Sequence, residues 1–230
     1  YAKVLKPVRE GGSPVRMCVL PEPQEEAKFV ASEIRKLQRE GTDPREIAVL
    51  YRSNTQAKLL EEELRIAGIS YRVFWGTKFF DRKEIKDGIA YLRVALNPRD
   101  ELSLRRIVNT PVRGLGSQSL RHILEHAEAH RMSLLRALGS ADRIEALSAR
   151  AKASAVRLGE AIETAGRGFR AGGLTDSATS LLRAAGMLQD NADQSPDAKR
   201  RRANVDFLLR SVERLEARSG ADRQALQQLL

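Results

Sequence analysis

Three short runs of apolar and β-branched residues, separated by segments of helical periodicity, dominate the first third of the chain. Residues 15–20 alternate apolar and polar positions, and residues 47–51 (IAVLY) and 71–74 (YRVF) are typical of short strands. Between these runs, apolar residues recur at helical spacing in residues 24–40 and 54–67. The pattern predicts a β-α-β-α-β order, with the strands in a parallel sheet joined by right-handed crossovers.

The hydrophobic pattern changes after Asp81, where no convincing strand follows. We place the boundary between an α/β part and an all-α part near residues 80–81. Four glycines, Gly166, Gly168, Gly172 and Gly173, predict a loop. Helical spacing predicts helices around residues 85–96, 104–108, 120–127, 144–162, 178–185, 205–215 and 221–230.

Polar side chains follow the ends of two predicted strands. Arg52 and Asn54 come directly after residues 47–51, and Lys78 comes shortly after residues 71–74. Ligands of open parallel sheets bind beyond the carboxyl ends of the strands, and the planar fork of arginine suits a phosphate. Two simpler interpretations stay open: Asn54 caps the helix that follows it, and Lys78 is an ordinary solvated lysine.

The segment NTPVRGLGS, residues 109–117, joins two predicted helices. Gly114 and Gly116 followed by Ser117 would expose backbone N–H groups at a helix start, and such a terminus binds anions. Arg113 adds positive charge beside it. The alternative is a plain interhelical turn in which Ser117 is the helix cap.

Three stretches together point to a known family. VLYRSNTQAKLLEEEL, GTKFFDRKEIKDGIAYLR and IVNTPVRGLGSQSL resemble three consecutive motifs of the UvrD/PcrA/Rep-like superfamily-1 DNA helicases, in that family's order and at about its spacing. The resemblance runs from about residue 15 to about residue 124. It implies that residues 1–80 are the N-terminal part of the RecA-like motor subdomain 2A, with a partial parallel sheet of three strands and flanking helices. Residues 81–230 would then be the helical subdomain 2B, incomplete in this chain.

The resemblance also implies two sets of sequence-independent DNA contacts. Single-stranded DNA would contact Arg52, Asn54 and Lys78. Duplex DNA ahead of the fork would be held by Thr110, Arg113, Gly114, Gly116 and Ser117. Trp75 stands where the family usually has a glycine. Glycine adopts a positive φ at little cost and tryptophan does not, so we expect the local backbone to differ from that of the family.

The intact parent of such a chain would hydrolyse ATP with Mg²⁺ and separate DNA strands, as the resemblance implies. The sequence holds no G-x-x-x-x-G-K-[ST] phosphate loop. We therefore expect that neither ATP nor Mg²⁺ binds this chain, and that the chain alone is inactive. Two other interpretations stay open. One is a stand-alone DNA-binding or protein-docking module without a motor, and the other is the helicase arm of a recombination helicase-nuclease.

Composition agrees with a nucleic-acid partner. Forty Lys and Arg against thirty Asp and Glu give a net charge of +10, although a solvated arginine-rich surface would give the same balance. The single cysteine, Cys18, excludes an internal disulfide framework and fits a reducing, cytoplasmic compartment. No apolar stretch approaches the ~18 residues of a membrane span, so no membrane partner is expected.

Two further clusters are interpreted as solvated surface. His122, His126 and His130 recur every four residues without an evident additional ligand, so a metal site is not expected. The run at residues 199–202 (KRRR) lies near a helix start, where the helix dipole disfavours positive charge.

Overall fold

Ten α-helices form the regular structure of the computed structural model, together with three single 3₁₀ turns, within the residues that it describes: 11–74, 78–188 and 195–230. The 3₁₀ turns are Pro44–Glu46, Phe79–Asp81 and Ala141–Arg143. The helices are α1 Pro23–Arg39, α2 Asn54–Ile66, α3 Lys83–Leu96, α4 Glu101–Ile107, α5 Ser117–Ala129, α6 Leu134–Gly139, α7 Ala149–Ala171, α8 Leu174–Ala184, α9 Pro196–Ser219 and α10 Arg223–Leu229.

The predicted parallel sheet is wrong. Residues 15–20, 47–51 and 71–74 contain no strand, and no backbone hydrogen bond joins any two of these described segments. Val15 and Leu50 are 99% and 96% exposed, so the runs bury little apolar surface. β-propensity reflects packing against neighbouring strands more than an intrinsic backbone preference. Because no neighbouring strand is present in the described residues, these runs have no backbone partner and stay extended without forming a sheet.

The all-α prediction for the second part of the chain is confirmed for its described residues. A large core extends from Phe79 to Leu230, and α3 lies at its centre with Ile85, Tyr91 and Leu92 fully buried. Helices α4, α7, α8 and α9 all pack against α3. Phe79 and Phe80 are buried in this core, and Phe79 packs edge-on against Phe207 of α9.

The predicted glycine loop is partly wrong, because Gly166 and Gly168 lie inside α7 and only Gly172 and Gly173 follow it. A Cβ at Gly166 would lie 2.7 Å from the Ala95 carbonyl oxygen, and one at Gly168 would overlap Ser177 Oγ. These glycines therefore allow α3 and α8 to approach α7 closely. The sequence signal for a turn was in fact a signal for close helix packing.

Helices α1 and α2 form a second, smaller apolar cluster around Ile34 and Leu64. Three consecutive carboxylates of α2, Glu61, Glu62 and Glu63, are 5%, 2% and 8% exposed. Glu62 accepts hydrogen bonds from Arg214 of α9, with Nη2 to Oε2 at 2.5 Å and Nε to Oε1 at 3.3 Å.

The neighbouring carboxylates have partners of their own. Glu63 pairs with Arg218, one turn further along α9, at 2.5 Å. Glu61 accepts from the backbone N–H of Phe79, at 3.0 Å to Oε2, and from Tyr71 Oη at 2.9 Å. These contacts fix α2 on the helical core.

We expect Arg214→Leu to destabilise the chain by roughly 3 kcal/mol, because it leaves the buried Glu62 carboxylate without its charged partner. Arg218→Leu is the matched control and should cost less, since the side chains of Arg218 and Glu63 are 35% and 10% exposed against 24% and 2% for Arg214 and Glu62. The double variant Glu62→Leu, Arg214→Leu should recover most of the loss. Urea unfolding followed by circular dichroism measures all three. A double variant no more stable than Arg214→Leu would contradict this account of the pair.

Glu61 supplies a pH-dependent contribution to stability. Burial raises the pKa of its carboxyl, and the Phe79 and Tyr71 hydrogen bonds only partly oppose this. A raised pKa means that the contribution is fully present below the unfolded-state pKa and is lost as the pH rises through the folded-state pKa.

We therefore expect the stability of the wild-type chain relative to Glu61→Gln to be greatest near pH 4 and to decrease as the pH rises. Urea unfolding of both proteins across pH 4–8 measures this difference, in which the titration of other groups cancels. A difference that grows with pH would overturn the assignment.

Candidate nucleic-acid interface

The N-terminus of α2 displays two of the predicted strand-binding residues. Arg52 and Asn54 are both exposed, and neither side chain has a hydrogen-bond partner in the described part of the chain. Ser53 is the N-cap: its side chain accepts from the Gln56 backbone N–H, and Gln56 Oε1 accepts from the Ser53 backbone N–H. Asn54 is the first helical residue, so capping does not occupy it.

Lys78 lies apart from this pair. It is half-buried, its Nζ donates to the Tyr71 carbonyl at 3.0 Å, and the same ammonium lies 4.8 Å from the centre of the Tyr71 ring. Tyr71 in turn contacts Glu61, which is about 10 Å along the α2 axis from Asn54. Tyr71 therefore fixes the position of the Lys78 ammonium, and no contact among the described residues joins Lys78 to Arg52 or Asn54. Trp75 lies outside the described residues.

The predicted duplex loop is braced from inside. Asn109 Oδ1 accepts from the backbone N–H groups of Arg113 at 2.9 Å and Leu115 at 3.1 Å. The Leu115 side chain is 1% exposed, whereas Val112 is 87% exposed. The loop is thus anchored at Asn109 and Leu115 and presents the backbone between them.

Arg113 turns part of its guanidinium inward. Its Nη2 donates to Tyr91 Oη at 2.5 Å, to the Thr110 carbonyl at 2.9 Å and to the Ala185 carbonyl at 3.2 Å. Burial raises the pKa of Tyr91 to about 12, against the opposing influence of the Arg113 charge, so this phenol is neutral and donates to the Thr110 carbonyl at 2.5 Å. Within the described residues, the other terminal nitrogen of Arg113, Nη1, makes no hydrogen bond.

The loop ends in a helix terminus that no side chain caps. Gly114 has a φ of +81°, which favours glycine, and Gly116 is the N-cap of α5 and makes no capping contact. Ser117 is the first helical residue, so it is not the cap. The first turn of α5 contains no acidic residue.

The other described helices neutralise their N-termini. Six are capped by a serine or aspartate side chain: Ser53, Asp100, Ser133, Ser148, Ser195 and Asp222. Acidic residues stand in the first turns of α1, α3 and α8, and Glu216 also accepts from the first two N–H groups of α8. Among the described helices, only α5 has neither device, and its positive end is open.

Sequence reasoning missed three contributors to this loop. Asn109 and Tyr91 brace it, and Arg150 of α7 lies beside it, with its Nε 3.9 Å from where a Gly114 Cβ would be. The position of Asn109 before a turn was an available signal. Arg150 comes from a distant helix, and nothing in the local sequence indicates its position.

The two clusters that we interpreted as solvated surface lie along α5 and at the start of α9. His126 and His130 stack with ring centres 4.1 Å apart, and His122 faces Glu125. No group of three metal-ligating side chains occurs among the described residues. Residues 199–202 are exposed on the first turns of α9.

None of the helices in the described part of the chain is both long and apolar enough to span a membrane.

Comparison with known proteins confirms the resemblance that the motifs suggested. The ATP-dependent DNA helicase PcrA of Bacillus subtilis is 37% identical over 161 residues, which is 69% of this chain and 22% of that protein. The proteins of the same name from Staphylococcus aureus and Staphylococcus epidermidis are 36% and 34% identical, over 53% and 62% of this chain and 17% and 20% of theirs.

The chain thus spans about a fifth of the length of these curated relatives. A family model described as the UvrD-like helicase C-terminal domain matches residues 1–148. On this match, which covers more than half of its length, the chain belongs to the UvrD-like helicase C-terminal domain family.

Proposed function

We propose that this chain is the part of an ATP-dependent DNA helicase that holds DNA on both sides of the fork. The observation that carries the proposal is the open N-terminus of α5, presented by a loop that is braced from within. The relatives named as DNA helicases and the charge of +10 support DNA as the ligand.

The N-terminus of α5 would bind duplex phosphates. The N–H groups of Ser117 and the next two residues have no intrahelical acceptor and no capping side chain, so they can donate to a phosphate oxygen. Glycine at positions 114 and 116 leaves no Cβ between the main chain and the DNA. Backbone donors read no base edge, so the contact would be independent of sequence.

Arg113 and Thr110 would hold this loop in place. The inward hydrogen bonds of Arg113 use Nε and Nη2, and they tie the loop to Tyr91 and to the end of α8. The remaining Nη1 group leaves Arg113 able to donate to a phosphate as well. The Thr110 carbonyl receives two of the bracing bonds, so Thr110 acts through its main chain.

Single-stranded DNA would pass the N-terminus of α2. Arg52 and Asn54 are exposed and uncommitted there, so they can donate to a phosphate or a base. Lys78 is held against Tyr71, which would fix its ammonium for a second strand contact. ATP and Mg²⁺ would act in the intact helicase, and this chain, which has no phosphate loop in its sequence, would not hydrolyse ATP by itself.

Gly116→Asp should have opposite effects on stability and duplex binding. An aspartate N-cap satisfies the open N–H groups, so we expect stability to rise by a few tenths of a kcal/mol. The same carboxylate repels phosphate, so duplex affinity should fall several-fold at low salt. Gly116 has a φ of −68°, and a Cβ there meets no atom within 4 Å, so the substitution fits the loop. Thermal unfolding and fluorescence anisotropy with a labelled duplex measure the two effects.

Gly116→Ala is the control for this experiment, because it adds the Cβ without the charge. If Gly116→Asp binds duplex as well as Gly116→Ala does, the loop is only a turn between helices.

Arg52→Gln should weaken binding of a labelled single strand roughly ten-fold or more, because a charge-assisted hydrogen bond contributes about 1.5–3 kcal/mol. Arg45→Gln removes an equally exposed arginine from the turn before α2 and is the matched control. Anisotropy titrations at fixed low salt give both affinities. Equal affinities for the two variants would remove Arg52 from the proposed strand contacts.

A further inference from the structure

A cleft of about 1020 Å³ lies between α7, α8 and the loop before α5. Its lining includes Arg113 of the loop, together with Ser154 and Arg157 of α7. Arg113 has a terminal nitrogen that makes no hydrogen bond within the described residues, as noted above. The cleft therefore brings two arginines that are distant in sequence to one surface.

Arg150 adds a third arginine to this surface. Its Nε lies 3.9 Å from the position that a Cβ of Gly114 would occupy, so its guanidinium is beside the loop. On α7, Ser154 follows Arg150 by four residues and Arg157 follows Ser154 by three, so the three side chains share one face of the helix. We call Arg113, Arg150 and Arg157 the arginine surface.

The protein does not use Arg150 or Arg157 internally. Both side chains are exposed, and neither forms a hydrogen bond or a salt bridge within the described part of the chain. Arg150 also lies in the first turn of α7, which contains no acidic residue, and the helix dipole disfavours a positive charge there. Its position is therefore mildly destabilising in the free chain, and a bound anion would offset this.

Two carboxylates, Glu160 and Asp176, also line the cleft. Asp176 is in the first turn of α8, whereas Arg113 contacts the Ala185 carbonyl just after the last turn of that helix. These two ends of α8 are roughly 13 Å apart along its axis. Glu160 follows Arg157 by about one turn of α7, so the positive part of the cleft ends there. The arginine surface thus faces the side of the cleft nearest the loop.

We propose that Arg150 and Arg157 extend the duplex-binding surface from the loop before α5 along α7. Each would bind a duplex phosphate through its planar guanidinium. The two residues are about 10 Å apart along the α7 axis, so a duplex at the open start of α5 can reach both. Contacts to phosphate carry no sequence information, so this surface would hold any duplex. Duplex DNA as the ligand rests on the proposed function.

Duplex binding across a salt series tests the arginine surface. Arg150→Gln and Arg157→Gln should each lower the affinity for a labelled duplex several-fold at low salt. Each should also reduce the steepness of log K against log salt by about 0.9, the value for one phosphate of duplex DNA. Arg170→Gln is the matched control, because Arg170 is an exposed arginine of the same helix that does not line the cleft. It should keep the affinity and the salt dependence of the wild type.

A single strand separates duplex contacts from a general effect of charge. Arg150→Gln should bind labelled oligothymidylate as the wild type does, whereas Arg52→Gln should bind it more weakly. Equal losses of affinity for duplex and single strand would mean that Arg150 acts only through net charge, which would overturn the arginine surface.

Thermal unfolding tests whether Arg150 has a structural role instead. Arg150→Gln removes a positive charge from the first turn of α7, so its Tm should equal or slightly exceed that of the wild type. A clear loss of Tm would show that Arg150 has an internal partner, and the proposal would fail.

Comparison with Gly116→Asp separates this inference from the proposed function. If Gly116→Asp weakens duplex binding while Arg150→Gln and Arg157→Gln bind as Arg170→Gln does, the arginine surface fails and the proposed function stands. If none of these variants changes duplex binding, both fail. A loss of affinity at only one of the two arginines would also overturn a surface that extends along α7.

Discussion

The carboxylates of α2 determine how the two parts of this chain are arranged. Successive residues of a helix are about 100° apart around its axis, so Glu61, Glu62 and Glu63 face different directions. Phe79 and Tyr71 satisfy the first, and two arginines of α9 satisfy the others. A buried carboxylate without a partner is very unfavourable, so these pairs hold α2 in one position on the core. The same helix carries Arg52 and Asn54 at its start, and its anchoring therefore also sets where a DNA strand could be bound.

The helices could be predicted because their signals are local. Apolar spacing and caps such as Ser148 and Asp222 lie within the segments that they define, and every helix predicted after Asp81 appears. The ends were less predictable: α7 ends nine residues later and α9 begins nine residues earlier than predicted, and α6 was not predicted. The sheet could not be judged in the same way, because a strand depends on a partner elsewhere in the chain. The buried role of residues 61–63 was also hidden. A run of three glutamates is typical of an exposed helix segment, and only distant partners, two of them on α9, make it part of an interface.

The candidate site was predictable in outline and not in its bracing. The glycine pattern before Ser117 correctly placed a helix start there, and Arg52 and Asn54 are both exposed. The inward course of Arg113 could not be predicted, because its acceptors come from α3, the loop itself and the end of α8. Sequence shows which charges and donors are available. It does not show which of them the fold uses internally, and Lys78 and Arg113 are both partly used in this way.

The open end of α5 carries positive potential that no capping side chain or first-turn acid neutralises in the described part of the chain. The loop before α5 is braced by two backbone hydrogen bonds to Asn109 Oδ1. Rigid support around an uncompensated charge reduces the reorganisation needed when an anion binds, because the donors already point in fixed directions. Under the proposed function, the N–H groups left uncapped at the start of α5 are the donors that a phosphate would use.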